Sequence, residues 1–181
     1  MEFIKTIIPD LILIKPKLYR DERGIFIETY RQDVLQRNGI HVQFIQDNQS
    51  ISNQGVLRGL HFQIEPYAQA KLVRVAQGAV FDVAVDIRPN SPYFGKWVGE
   101  ILSEKNQHML FIPSGFAHGF LALENNTIFL YKCSNFYSPQ HERGIVWNDL
   151  SLKIAWPSAD KPFMISDKDQ KFPNFSKNLF L

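Results

Sequence analysis

The chain has 181 residues, about one domain's worth. A chain of that size buries about 70% of its unfolded surface, so it needs no disulfide or metal to hold a core. Lys+Arg number 20 and Asp+Glu 18, a formal net charge of +2, which excludes the basic excess that binding a nucleic-acid polymer requires. A few placed arginines can still hold a small anion. Aromatic residues are 13% of the chain, which excludes disorder, and the lone Cys133 excludes an intramolecular disulfide and a Cys-rich zinc site.

Apolar residues recur mostly with a period of two. Strand-like runs open the series at 11–15 and 24–29. One short helix is expected over 31–38, stopped by Asn38-Gly39, both of which tolerate the left-handed conformation. Runs follow at 42–48, 55–61 and 71–76. Over 80–87, Phe81, Val83, Val85 and Ile87 alternate with Val80, Asp82, Ala84 and Asp86, the pattern of a half-buried strand. Asp82 and Asp86 share a face by parity, which a solvated face would explain. Further runs lie at 97–102, 108–112, 118–123 and 127–132. Turn residues separate them, as in Asn53-Gln54-Gly55, Gln77-Gly78, Pro113-Ser114-Gly115 and Asn125-Asn126. Short strands at this spacing predict a sandwich or barrel. No linker or repeat interrupts them, so one domain over 1–181 is expected. The tail, 157–181, is polar and is expected to lie over the barrel. No apolar run is long enough to span a membrane, and Met1-Glu2-Phe3-Ile4-Lys5 lacks the order of a signal peptide. A cytoplasmic location with no membrane partner is expected.

Four segments place polar groups on apolar strands: Arg58-Gly59-Leu60-His61-Phe62-Gln63, Lys71-Leu72-Val73-Arg74, Pro113 to Phe120 with His118, and Phe129-Leu130-Tyr131-Lys132-Cys133. A barrel lets side chains from several strands converge on one interior pocket. A single His on a strand is more often a satisfied structural residue, and a Tyr there is usually packing. The argument rests on their occurring together.

A metal cupin is the first alternative. Gly55 followed by His61, and Pro113-x-Gly115-x-x-His118, resemble the start of its two ligand motifs. Its second His would fall at Gln63 and its Glu at Tyr67 or Ala68, with Glu65 arriving too early. Two histidines fall short of the three protein ligands usual at a catalytic metal. No metal is expected, and His61 is left free for proton transfer near neutral pH.

Nine segments, from Asp21-Glu22-Arg23-Gly24-x-Phe26-x-Glu28 through Gln46-Asp47-Asn48, Arg58 to Gln63, Lys71 to Arg74, Phe81-Asp82-Val83, Ile112 to Phe120, Tyr131-Lys132 and Trp147-Asn148-Asp149 to Ser166-x-Lys168-Asp169, stand in one order. In that order the chain resembles the dTDP-4-dehydrorhamnose 3,5-epimerase family over about residues 3 to 169. The resemblance implies a mainly β, cupin-type jelly-roll β-barrel with short peripheral helices. It also implies epimerisation at carbons 3 and 5 of dTDP-4-dehydro-6-deoxy-D-glucose, a nucleotide-sugar substrate, without a cofactor.

By the same resemblance His61 is the base, Tyr131 the acid on the opposite face, Asp169 the carboxylate paired with His61, and Lys71 the cation near the ketone oxygen. Arg23 and Arg58 suit the pyrophosphate, since guanidinium grips phosphate oxygens bidentately. Gln46 and Asn48 face one way and hydrogen-bond substrate. Tyr137 stacks on thymine, and Phe26, Glu28, His118, Glu142 and Lys168 complete the contacts. The segment 1–30 reaches into a partner subunit, which implies a homodimer. Phe136 stands where the family commonly has a second Tyr, and Ala70 where it often has Gly.

Parity poses a test. Arg58 and His61 are three apart, so a flat strand would point them to opposite faces. A shared pocket requires a bulge near Gly59. Alternative functions are a single-site epimerase, a ketoisomerase on the same class of sugar, a metal cupin oxygenase and a non-catalytic sugar-binding barrel.

Overall fold

The computed structural model describes residues 1–158 and 162–176. The parts of the expected tail at 159–161 and 177–181 lie outside the described residues. Two antiparallel sheets face each other. The first runs β1 (Glu2–Lys5), β2 (Ile12–Lys15), β10 (Met109–Ile112), β7 (Lys71–Gln77), β12 (Thr127–Cys133) and β5 (Gln46–Ser52). The second runs β13 (Glu142–Gly144), β6 (Leu57–Gln63), β11 (Phe116–Ala122), β8 (Ala79–Asp86) and β9 (Trp97–Ser103). The sheets do not hydrogen-bond into one closed barrel, so the expected jelly roll is a two-sheet sandwich. A separate hairpin joins β3 (Leu18–Asp21) to β4 (Gly24–Ile27). The helices are α1 (Gln32–Arg37) and α2 (Asp167–Gln170). α1 matches its expected place, and the chain leaves it through Gly39 at φ +86°.

Alternation of side chains along the strands fills the space between the sheets with Val73, Val75, Phe129, Leu110, Val80, Ala84 and Phe120. The outer faces are covered as well. Leu35 and Ile40, with Tyr30, Val42 and Phe44 packed against them, cover Leu72, Met109 and Phe111 on the first sheet. Ile145 and Leu152, with Trp156 beside them, cover Val83 and Val85 on the second. This coverage corrects two expectations. The strand at 80–87 is buried on both faces instead of half-buried, and Asp82 and Asp86 are fully buried instead of solvated. Much of the run at 42–48 is not strand: Val42 and Phe44 precede β5 and belong to the outer apolar layer. β1, β3, β13 and α2 are additions to the expected elements.

The described tail is fastened to β6 and its surroundings at several points. Met164 exchanges backbone hydrogen bonds with Gly55 and Leu57. The Val146 amide donates to Pro173 O, and the Phe175 amide donates to the buried Asp149 carboxylate. The Phe172 ring occupies the space that a side chain at position 144 would need, so Gly144 admits it. α2 starts at Ser166, whose hydroxyl accepts the Asp169 amide at 3.1 Å.

Candidate active site

The inner faces of both sheets turn polar at one end. There a cavity of about 420 Å³ opens, lined from the first sheet by Gln46, Asn48, Lys71 and Tyr131 and from the second by Arg58, His61, Gln63 and His118. Tyr137 and Glu142 stand at its wall.

The parity problem is resolved as the sequence required. β6 pairs His61 with His118 and Arg58 with Phe120, so three residues on β6 span two on β11, which is a bulge. Gly59 sits in it at φ +123°, and a Cβ there would lie 2.6 Å from Gly119 Cα. Gly119 is equally confined, since a Cβ on it would meet Arg58 O at 2.7 Å. The two glycines let the backbones touch, and Arg58 and His61 then line the same cavity.

His61 donates its Nε2–H to Asp169 Oδ1 at 2.8 Å. The other oxygen, Oδ2, accepts the Gly59 amide at 3.1 Å. Asp169 is thus held against both the His61 ring and the bulge of β6. Burial alone would raise the Asp169 carboxyl, but His61 and the Gly59 and Ser166 hydrogen bonds hold it below the usual carboxylate range. With Nε2 donating, the neutral His61 ring presents Nδ1 as its acceptor, so it can take a proton. Its side chain is 30% exposed.

Tyr131 faces His61 from the opposite sheet. Burial raises its phenol above the ordinary value, with Cys133 and Glu142 adding and Arg58 opposing, so it stays a protonated acid. Lys71 is half-buried at the cavity wall, and burial lowers its ammonium from the usual lysine value. No carboxylate among the described residues lies within ion-pair distance of it, which leaves the charge for an anion in the cavity.

His118 donates Nε2–H to Asp82 Oδ2 at 2.9 Å, and both are buried. Glu142 accepts from the Tyr137 hydroxyl at 2.7 Å and from Lys168 Nζ. Burial would raise Glu142, but these two donors hold it low; the same contact raises the Tyr137 phenol. Lys168 and Asp169 are neighbours on α2, so that one turn reaches both Glu142 and His61.

Of the expected residues, Lys168 and Asp169 reach this cavity only through Glu142 and His61, and three more are not brought to it within one chain. Arg23 (side chain 86% exposed) and Phe26 (68%) project on the β3–β4 hairpin, where Arg23 pairs with Asp21. Glu28 lines a different cavity, beside Arg74 and Lys132. Phe136 does not line the cavity that holds His61 and Tyr131, whereas Tyr137 does. Sequence reasoning missed two residues of the site. Asp82 could have been found as the partner of His118 only from the β8–β11 register. Gln63 fills what the sequence presents as an empty metal slot, yet it lines the cavity with all of its amide atoms engaged. Among the described residues, no three His, Cys, Asp or Glu side chains group in a way that could hold a metal ion.

A jelly roll with a carboxylate-backed histidine on one sheet, and a tyrosine and a lysine on the other, around one cavity defines a cupin-type enzyme. The family profile described as dTDP-4-dehydrorhamnose 3,5-epimerase matches residues 5–177, and the chain belongs to that family. The dTDP-4-dehydrorhamnose 3,5-epimerase of Shigella flexneri is 55% identical over 176 residues, 95% of this chain and 96% of that one. The crystal structure of the Bacillus anthracis dTDP-4-dehydrorhamnose 3,5-epimerase, with TDP and PPi bound, is similar at TM-score 0.92 and 46% identity. That match covers 96% of this chain and 99% of the other. The Legionella pneumophila dTDP-6-deoxy-D-glucose-3,5-epimerase, in complex with dTDP-4-keto-L-rhamnose, is similar at TM-score 0.91 and 44% identity, covering 97% and 98%. Among the described residues, no helix is long and apolar enough to cross a membrane.

Proposed function

We propose that the protein epimerises carbons 3 and 5 of dTDP-4-dehydro-6-deoxy-D-glucose, giving dTDP-4-dehydro-L-rhamnose for dTDP-L-rhamnose biosynthesis. One observation carries the reading: the base candidate and the acid candidate stand on facing sheets across one cavity. Inversion requires a proton to leave one face of a carbon and return to the other. A substrate held between the sheets meets that requirement.

Both carbons flank the ketone at carbon 4, so loss of a proton gives an enolate. His61 Nδ1 takes the proton, and Asp169 stabilises the imidazolium that forms. The Lys71 ammonium stabilises the negative oxygen. Tyr131 gives a proton to the opposite face; water then takes the proton from His61 and returns one to Tyr131, and the exchange repeats at the second carbon. The ketone itself acidifies its neighbours, so this route needs no cofactor. Arg58 suits the pyrophosphate and Tyr137 the thymine, while Gln46, Asn48, His118, Glu142 and Lys168 complete the contacts.

The remaining contacts come from a second copy in a homodimer. The hairpin exposes the Tyr19 and Phe26 rings as a cross-strand pair on one face and Ile25 on the other, beside the exposed Arg23. This hairpin, delivered with Glu28 to the partner's cavity, completes the anion site. Co-expressing an Arg23→Glu chain with a His61→Ala chain tests this. Each alone is inactive, and the mixture regains activity because one of its two sites is intact. No regain would sink the composite site.

Turnover of the keto-sugar nucleotide in deuterated water tests the reaction. Inverted product carrying deuterium at both carbons 3 and 5 is expected. One deuterium would instead identify a single-site epimerase, and none would remove the catalytic reading.

A further inference from the structure

We propose that Gln63 is a positioning residue for nucleotide recognition, fixing the segment 136–138 that carries Tyr137 to the cavity. The proposal rests on the assignment of Tyr137 to the nucleotide base.

Gln63 ends β6, and only 8% of it is exposed. Its Nε2 donates to Tyr67 O at 2.6 Å and to Phe136 O at 3.1 Å. Its Oε1 accepts the Ser138 amide at 2.7 Å. The side-chain amide therefore has both hydrogens and its oxygen occupied by backbone groups of two loops. From the facing sheet, Gln46 Oε1 accepts the neighbouring Tyr137 amide at 2.9 Å. Two successive amides, 137 and 138, are thus held by glutamines on opposite sheets. The loop between β12 and β13 has no strand or helix of its own at this point, so these side chains stand in for a sheet ladder.

The chemistry asks for glutamine in particular. Two carbonyls and one amide converge on the position, and only a group with two N–H donors and one acceptor satisfies all three. A carboxylate would face both carbonyls with a lone pair. A loop ordered before binding loses less entropy when the base arrives, so the clamp favours nucleotide affinity over the chemical step. The slot in which a metal cupin has a ligating histidine here carries a strut.

Gln63→Glu is the test, read by titration calorimetry with dTDP and by steady-state kinetics. At pH 8 the dTDP Kd and the KM should both rise roughly 10-fold or more, while kcat stays within about threefold. At pH 5.5 the introduced carboxyl, once protonated, regains one O–H donor, so the affinity deficit relative to wild type at the same pH should shrink. Unchanged affinity at both pH values, or a fall in kcat at constant KM, would overturn the proposal. A loss of fold in the variant does not end the test. In the wild-type protein without ligand, the Tyr137 and Ser138 amides should exchange with solvent far more slowly than free loop amides, and fast exchange would equally overturn it. Wild-type protein that neither binds dTDP nor turns over the keto-sugar would sink the proposed function instead, and amide exchange would still report on the clamp.

Discussion

His61 and His118 are cross-strand partners on β6 and β11, and each donates Nε2–H to an aspartate, yet the two pairs are built differently. His118 and Asp82 lie on adjacent strands of one sheet, 36 residues apart, and both are buried. Asp82 Oδ1 is buried without a hydrogen-bond partner. His61 is partly exposed, and its aspartate comes from a tail 108 residues further on, with both oxygens satisfied. The buried pair braces β8 against β11, with the His118 ring also forming part of the cavity wall. The other pair has a buried carboxylate placed by a separately fastened strap and a partly exposed ring that lines the cavity. Residue type alone does not separate a histidine in a brace from one proposed as a base. What separates them is which part of the chain delivers the carboxylate and whether the ring meets solvent.

The contrast can be broken most sharply at His61. His61→Ala should reduce turnover by roughly 10³-fold or more while dTDP affinity, measured by calorimetry, stays within about threefold. Tyr131→Phe should slow inversion by about 10²–10³-fold while leaving solvent deuterium exchange at the substrate carbons, followed by NMR, less affected. Parallel loss of both would place the base and acid in one step instead of two. Asp169→Asn should lower kcat by roughly 10²-fold with only a small change in the urea midpoint.

Its effect on stability should also depend on pH. The folded Asp169 pKa is depressed, so the carboxylate contributes stability that is present above the unfolded value and lost as pH falls through the lower folded value. The difference between wild type and Asp169→Asn should therefore be full at neutral pH and shrink below about pH 4. The smallest effect on activity, and the largest on stability, is expected at the brace. Asp82→Ala should cost about 3–5 kcal/mol in denaturant unfolding, because a buried His is left unpaired, with kcat/KM falling within about tenfold. A reversed pattern, with Asp82→Ala catalytically dead and Asp169→Asn destabilised, would exchange the two roles.

Much of this arrangement is legible in the sequence. Period-two runs locate most strands, because each buries at least one face against another layer. Arg58 and His61 force a bulge at Gly59 by parity, and the register shift is there. What fails has a common cause. Asp82 and Asp86 look solvated because polar residues at period two mark an outer face, yet they are buried beside His118 and Arg88. Pairing overrides the pattern, across strands to His118 for Asp82 and within one turn to Arg88 for Asp86, and an alternation of polar and apolar residues displays neither. β13 and α2 are too short to generate periodicity, and they are held by contacts to β6 that only the folded chain brings together. Gln63 escapes notice because it lacks a metal ligand's chemistry. Its three backbone partners lie in loops whose positions the sequence does not encode locally.

The tail that supplies Asp169 also orders events in time. Closing the 108-residue separation between His61 and Asp169 costs chain entropy that no local contact repays, whereas β8 and β11 bring Asp82 to His118 as their own sheet forms. A refolding molecule can thus own a native sandwich, with His118 braced, before His61 meets its carboxylate. Recovery of activity after dilution from denaturant should trail the recovery of sheet signal in circular dichroism, and the part of that interval that does not change with protein concentration is the time the strap takes to dock.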